Sequence, residues 1–281
     1  MFAHRKKRWF AAISICSILI CSLGGCTTPT KSISARAASL KFEPLVIAGT
    51  TYKHRLYAAR TTSPKQVLHI YIEHDGSPWL LEGTQVSRDP TPRNPLMLEW
   101  MSLDTASRLY LGRPCYFDLD TSPPCSPLLW THQRYSEGVV DSMVAALQKF
   151  LGVRPHDQLA FFGYSGGGAL AMLLAERFPE TVAVVTIAGN LDIDAWVKLH
   201  DYSQLEGSIN PTSRPPLPER IVQRHYVGAK DDNIPPGIVR EFSATRPGSQ
   251  VVEIPNFDHI CCWGKLWPKI LANLDSLLVN R

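Results

Sequence analysis

The sequence predicts an α/β fold: a mostly parallel central sheet with helices on both faces and small lid-like insertions. Three observations carry this. Short runs rich in β-branched and aromatic residues are apolar almost throughout, as strands buried on both faces must be. Longer segments between them repeat apolar residues at helical spacing. Runs and segments alternate along the chain, the order that crossovers between parallel strands impose.

The elements follow in order. PLVIA at 44–48 and RLYAA at 55–59, joined through Gly49, read as a hairpin. VLHIYIE at 67–73, RLYLG at 108–112, LAFFG at 159–163, VAVVTIA at 182–188, RHYVG at 224–228 and VVEIP at 251–255 complete the strands. Helical spacing marks NPLMLEWMSLD at 94–104, EGVVDSMVAALQKFL at 137–151, GGALAMLLAERF at 167–178 and GKLWPKILANLDSLL at 264–278. Pro268 in the last is tolerable only within a first turn. Two insertions, 77–95 and 189–218, follow strands and belong above the carboxyl edge of the sheet, where they can wall or cover a site.

The chain has 281 residues, 44% of them hydrophobic, enough for a full core. Its first residues stand apart. Arg5, Lys6, Lys7 and Arg8 precede an uncharged apolar run from Trp9 to Leu23, then small residues before Cys26. This is the layout of a secretory leader. Leu23-Gly24-Gly25-Cys26 resembles the lipobox of bacterial lipoproteins, which implies cleavage before Cys26 and acylation of that cysteine. The competing reading is a retained membrane helix, since the uncharged run continues to Thr30. The expected division is therefore a signal peptide at 1–25, a lipidated end and flexible tether at 26–40, and one domain at 41–281. The expected location is the bacterial cell envelope, with a lipid anchor in the outer membrane rather than the inner.

The leader also carries the whole net charge of +4. Without its four cations the 29 basic residues fall to 25, equal to the 25 acidic ones. A neutral mature chain has no electrostatic reason to bind nucleic acid. Four cysteines lie beyond Cys26, in an oxidising compartment. Cys115 and Cys125 bracket a proline-rich loop and can close it as a disulfide. Cys261 and Cys262 are adjacent and leave three readings open: buried thiols, a mutual pair, or bonds to other partners. No CxxC and no HExxH occurs, so a metal site has no support in the sequence.

The stretch LAFFGYSGGGALAMLL at 159–174 holds the chemistry. Gly163 and Gly168 have phosphate-loop spacing, but Ala169 and Leu170 stand where that loop needs Lys and Ser or Thr. Gly163-Tyr164-Ser165-Gly166-Gly167 instead fits a nucleophile elbow, G-x-S-x-G, between a strand and a helix. A serine hydroxyl needs a base, and the base an orienting acid. Asp231 lies three residues past the strand ending at Gly228, and His259 lies just past the last strand. Asp232 is the competing acid, and an Asx turn the competing role for Asp231. His74, His132 and His200 have no motif around them and read as structural or pocket-lining, as do Tyr164, Trp79 and Trp196.

On GYSGG, AERFPETV, GAKDDNIP and FDH, the chain resembles the α/β-hydrolases over about 45–278. The resemblance implies the order Ser165, Asp231, His259 for a catalytic triad. It also implies an oxyanion hole from the N–H of Gly166 and of a residue in IYIEHDGSPW, where Asp75 is favoured and Gly76 is the alternative. The expected function is a cofactor-free serine hydrolase of esterase, lipase or thioesterase type, acting on a small acyl substrate. A peptidase on the same fold and a retired hydrolase serving as a binding protein are the rivals.

Overall fold

The computed structural model describes residues 28–59, 67–81, 83–119 and 125–279. The leader and Cys26 lie outside the described residues. Among those described, no helix is long and apolar enough to cross a membrane.

Eight strands form the main sheet. They are β1 (Glu43–Ala48), β2 (Lys53–Ala58), β3 (Leu68–Ile72), β6 (Ser107–Leu111), β7 (Leu159–Tyr164), β8 (Thr181–Ile187), β9 (Val222–Gly228) and β10 (Ser249–Ile254). The spatial order is β1-β2-β6-β3-β7-β8-β9-β10. Strand β2 runs antiparallel to both neighbours, and every pair from β6 to β10 is parallel. All eight lie where the apolar runs place them, and the Gly49 hairpin is the β1–β2 turn.

The central strands β3 and β7 are buried along their whole length. Helices α2 (Leu96–Met101), α3 (Glu137–Val153), α4 (Gly166–Ala175) and α7 (Trp263–Val279) cover the sheet as expected. Within α4 all ten residues are buried. Trp267 of α7 packs on Tyr71, Phe162 and Trp100. Each such fully buried side chain contributes about 1.5–3 kcal/mol relative to exposure.

Two expectations are corrected. The stretch 26–40 does not act as a flexible tether in its described part: Pro29–Ser39 form helix α1, capped by the Thr28 hydroxyl and docked through buried Ile33 and Ala37. Pro268 does not stand in a first turn, because α7 begins at Trp263 and carries it inside. The helix loses one backbone bond there, while burial of Trp263, Trp267, Ile270, Leu271 and Leu274 holds it to the core. Helices α5 (Ile193–Leu199) and α6 (Pro236–Ala244) complete the set.

The first insertion folds back as a small hairpin of β4 (Trp79–Leu80) and β5 (Gln85–Val86), and the second contains α5. Cys115 and Cys125 form the expected disulfide, and Cys261 is bonded to Cys262.

Candidate active site

Ser165 stands between β7 and α4 with φ 53° and ψ −123°, a left-handed conformation that no L-residue adopts without strain. Its backbone is pinned on both sides. The N–H of Ser165 donates to the Ile187 carbonyl at 3.0 Å, and the Ser165 carbonyl accepts from Gly168 at 2.9 Å and Asn190 at 3.0 Å. The glycines two residues either way are required by close approach. A Cβ on Gly163 would lie 2.2 Å from the Gly167 carbonyl oxygen, and one on Gly167 would lie 2.2 Å from that of Ile72.

The sheet brings the other two groups to this turn. Strands β9 and β10 pair in parallel with Gly228 opposite Ile254, so the loops that follow them leave the same edge together. Lys230 N–H donates to the Phe257 carbonyl at 2.8 Å and ties the two loops. His259 Nε2 then lies 3.0 Å from Ser165 Oγ, and His259 Nδ1 lies 2.9 Å from Asp231 Oδ2. Since a carboxylate only accepts, Nδ1 carries the proton and Nε2 presents its lone pair to the serine hydroxyl.

The Asp231 side chain is 0% exposed and that of His259 16% exposed. Asp231 Oδ1 is fixed by the N–H groups of Asn233 and Ile234 at 3.0 and 2.8 Å. Asp232 is exposed and takes no part. The Asx turn and the His259 contact are therefore both properties of Asp231, not alternatives.

Residues 73–76 follow β3, whose Ile72 pairs with Gly163 of β7. They therefore flank the serine turn. Gly76 N–H donates to His74 Nδ1 at 3.0 Å, and His74 Nε2 donates to the Asn94 carbonyl at 3.1 Å. This fixes His74 as a neutral tautomer, and burial lowers its pKa further. The Gly76 N–H is thus occupied, whereas among the described residues the N–H groups of Asp75 and Gly166 have no backbone acceptor.

The Asp75 side chain turns under Gly166, where a Cβ would lie 2.0 Å from its Oδ1. Arg113 Nη2 reaches Oδ1 at 2.7 Å, Arg134 Nη1 reaches Oδ2 at 2.9 Å, and Tyr135 donates to the same carboxylate at 2.7 Å. Burial disfavours the Asp75 carboxylate, yet Arg113 and then Arg134 hold its pKa down at about 2. Glu73, buried one strand-end away, has the opposite outcome: burial pushes its carboxyl up to about 8 despite N–H bonds from Met97 and His74.

Sequence reasoning missed this charged cluster, since Asp75, Arg113 and Arg134 are far apart in the chain and charged residues ordinarily stay at the surface. It also missed Asn233. The Asn233 amide donates to His259 Nε2 at 3.1 Å, sharing that lone pair with the Ser165 hydroxyl, while its oxygen accepts from Trp196 Nε1 at 3.2 Å. A polar residue two positions past a candidate acid is the only signal that could have marked it.

Ser165, His259, Asp75, Tyr164, Trp196 and Asn233 line a cavity of about 370 Å³. Tyr164 packs beside His259 and donates to its carbonyl at 3.1 Å. His200 donates to the Asn233 carbonyl at 2.8 Å, and His132 meets Trp79 edge to face outside this cavity. Both insertions contribute walls, as expected. Among the described residues no group of three or more His, Cys, Asp or Glu side chains is arranged to hold a metal ion.

No protein-family model matches the chain, and no curated protein matches it. Solved structures do. The chain is similar to an esterase from Pyrococcus furiosus, with TM-score 0.57, 13% identity, and coverage of 85% of this chain and 92% of that one. It is similar to a suspected α/β hydrolase of unknown function from Agrobacterium tumefaciens at TM-score 0.55 and 15% identity, covering 85% and 98%. It is also similar to an acylaminoacyl peptidase in complex with a chloromethyl ketone, at TM-score 0.54 and 13% identity, covering 83% of this chain and 41% of that one. At these identities the likeness shows the fold, which is that of the α/β hydrolases.

Proposed function

We propose that the protein is a serine hydrolase that cleaves carboxylic esters or thioesters through an acyl-enzyme, held at the bacterial cell envelope by a lipid on Cys26. The observation that carries the catalytic part is the continuous hydrogen-bonded line from Ser165 Oγ through His259 to buried Asp231, opening on a cavity. His259 Nε2 takes the hydroxyl proton as Oγ attacks the acyl carbonyl. Asp231 holds the imidazole in the needed tautomer and stabilises the imidazolium that forms. The unoccupied N–H groups of Gly166 and Asp75 receive the developing oxyanion, and the start of α4 adds its dipole. Water activated by the same histidine releases the acyl group.

One feature favours amide cleavage as a second reading: the cationic Arg134 beside the cavity could receive a charged peptide end. Ester and aminoacyl amide substrates of equal size separate the two readings.

The test is stoichiometric reaction with a fluorophosphonate. Labelling of the protein lacking residues 1–25, and its loss in Ser165→Ala, are expected. Labelling that persists in Ser165→Ala overturns the assignment, and a folded protein that never labels points to a retired hydrolase. For the anchor, expression in a bacterium should give cleavage before Cys26 and acylation that disappears in Cys26→Ala.

A further inference from the structure

A second cavity of about 470 Å³ adjoins the first, and the two share Arg134 and Trp196. Its described walls are aromatic and apolar: Trp79, His132, Trp196, Tyr202 and Leu205, with Trp196 and Tyr202 meeting at 5.1 Å. Arg134 is the one Lys or Arg among the described residues lining either space.

Arg134 has more donors than its structural contacts use. Nε donates to the Thr131 carbonyl at 2.6 Å and Nη1 to Asp75 at 2.9 Å. Those two bonds lock the guanidinium plane, although its side chain is only 7% exposed. Nη2 has no protein acceptor among the described residues, and it is not among the sealed, unpaired polar atoms. It is the edge left to face the cavities.

Charge points the same way. Asp75 is one carboxylate between two guanidiniums, and Arg113, fully walled in by Asp75, Tyr116 and Tyr135, already balances it. Glu73, with its carboxyl pushed up to about 8, adds no compensating charge at neutral pH. One positive charge is left over at the junction of the two cavities. A guanidinium edge, partly desolvated and held in a fixed plane, is suited to a carboxylate, and the walls beyond it are suited to a flat ring.

We infer that the substrate is an ester carrying an aromatic carboxylate, its scissile carbonyl at Ser165, its anionic group on Arg134 Nη2, and its ring among Trp79, Trp196 and Tyr202. This rests on the hydrolase reading above, which it narrows to a substrate class.

The probes are 3- and 4-acetoxybenzoate, each against its own methyl ester, which keeps the ring and the ester but removes the charge. With wild type at low salt, kcat/KM for at least one acid should exceed that for its methyl ester by about tenfold or more, the scale of one charge-assisted hydrogen bond. In Arg134→Gln the acid-to-ester ratio should collapse to about one, with partial recovery in Arg134→Lys. Because the ratio is taken within one protein, loss of folded material does not enter it. Neither acid preferred, or a preference that survives in Arg134→Gln, overturns the inference.

Calorimetric binding of the same acids to Ser165→Ala separates this from the hydrolase reading. Arg134-dependent binding without any ester turnover by wild type would sink the hydrolase and keep the anion site. Turnover of the methyl esters with no carboxylate binding or preference would do the reverse.

Discussion

Among the described residues two serine–histidine pairs meet side chain to side chain, and only one of them is built for chemistry. Ser165 and His259 meet at 3.0 Å at the carboxyl edge of the sheet; Ser142 and His54 meet at 2.8 Å between α3 and β2. Distance does not tell them apart. What stands behind each imidazole does. His259 Nδ1 faces the Asp231 carboxylate, which can stabilise a positive ring. His54 Nδ1 donates to the Gly112 carbonyl at 2.9 Å, a neutral partner. His54 is 0% exposed, and burial lowers its pKa to about 4, so the protonated state needed after proton abstraction is denied to it. Ser142 sits inside a regular helix next to Gly49, with no strained turn and no exposure to solvent. A third pair, His69 and Asp104 at 2.6 Å, has the acid without a serine. Nucleophilic function needs hydroxyl, base, acid and open space together.

The largest test of this contrast is removal of each hydroxyl. Ser165→Ala should lower ester turnover by about 10⁴-fold or more, while Ser142→Ala should leave kcat/KM within about twofold and lower stability by about 1–3 kcal/mol, as His54 loses its buried partner. If Ser142→Ala were as inactive as Ser165→Ala with its fold intact, the distinction would be wrong. Next come the acids. Asp231→Asn should cost about 10³–10⁴ in kcat by presenting the wrong imidazole tautomer, whereas Asp104→Asn, read by kcat against thermal midpoint, should alter only the midpoint.

These pairs also show what could be read in advance. The eight strands were legible because a sheet covered on both faces demands apolar runs. Ser165, Asp231 and His259 were legible because each follows a strand end, and a strand end fixes where a residue emerges. Helix α1 was not: its sequence PTKSISARAAS has a weak apolar face with only Ile33 and Ala37 buried, and the rest of its docking is polar, through Ser34 to Tyr57 and Arg36 to Glu99. Helix α6 was hidden by Pro235, Pro236 and Gly237 at its start. The Asp75–Arg113–Arg134 cluster was hidden for a different reason. Its members gain their meaning only from mutual burial, which no local pattern records.

That cluster gives the third prediction, intermediate in size. Asp75→Asn leaves the walled-in Arg113 guanidinium without its carboxylate. Breaking a buried ion pair from one side costs about 3–5 kcal/mol, so chemical denaturation should show a loss on that scale. Asp75→Asn combined with Arg113→Met should recover most of it, because the charge that then remains, on Arg134, borders the cavities. A double variant no more stable than the single one would show that the cost lies in lost packing and not in unpaired charge.

The smallest expected effect concerns pH and returns to the inert pair. His54 is a base whose folded pKa, about 4, lies below its ordinary 6.5. The folded state therefore binds fewer protons than the unfolded one between these values. Its contribution is present above about pH 6.5 and is lost as pH falls towards 4. From pH 7 to pH 5 that loss is about 2 kcal/mol. Glu73 has the reverse sign. Its folded pKa, about 8, lies above the ordinary 4.5, so its contribution is present at low pH and is lost as pH rises through 8. Thermal midpoints measured across pH 4–9 should fall on both sides. His54→Gln, which can still donate to the Gly112 carbonyl and accept from Ser142, should make the acid side alone shallower, with His225, whose pKa burial lowers to about 3, keeping part of it, and Glu73→Gln should flatten the alkaline side alone. An acid side unchanged in His54→Gln would mean that this imidazole is not held neutral by burial, and with that the physical ground for calling its serine inert would go.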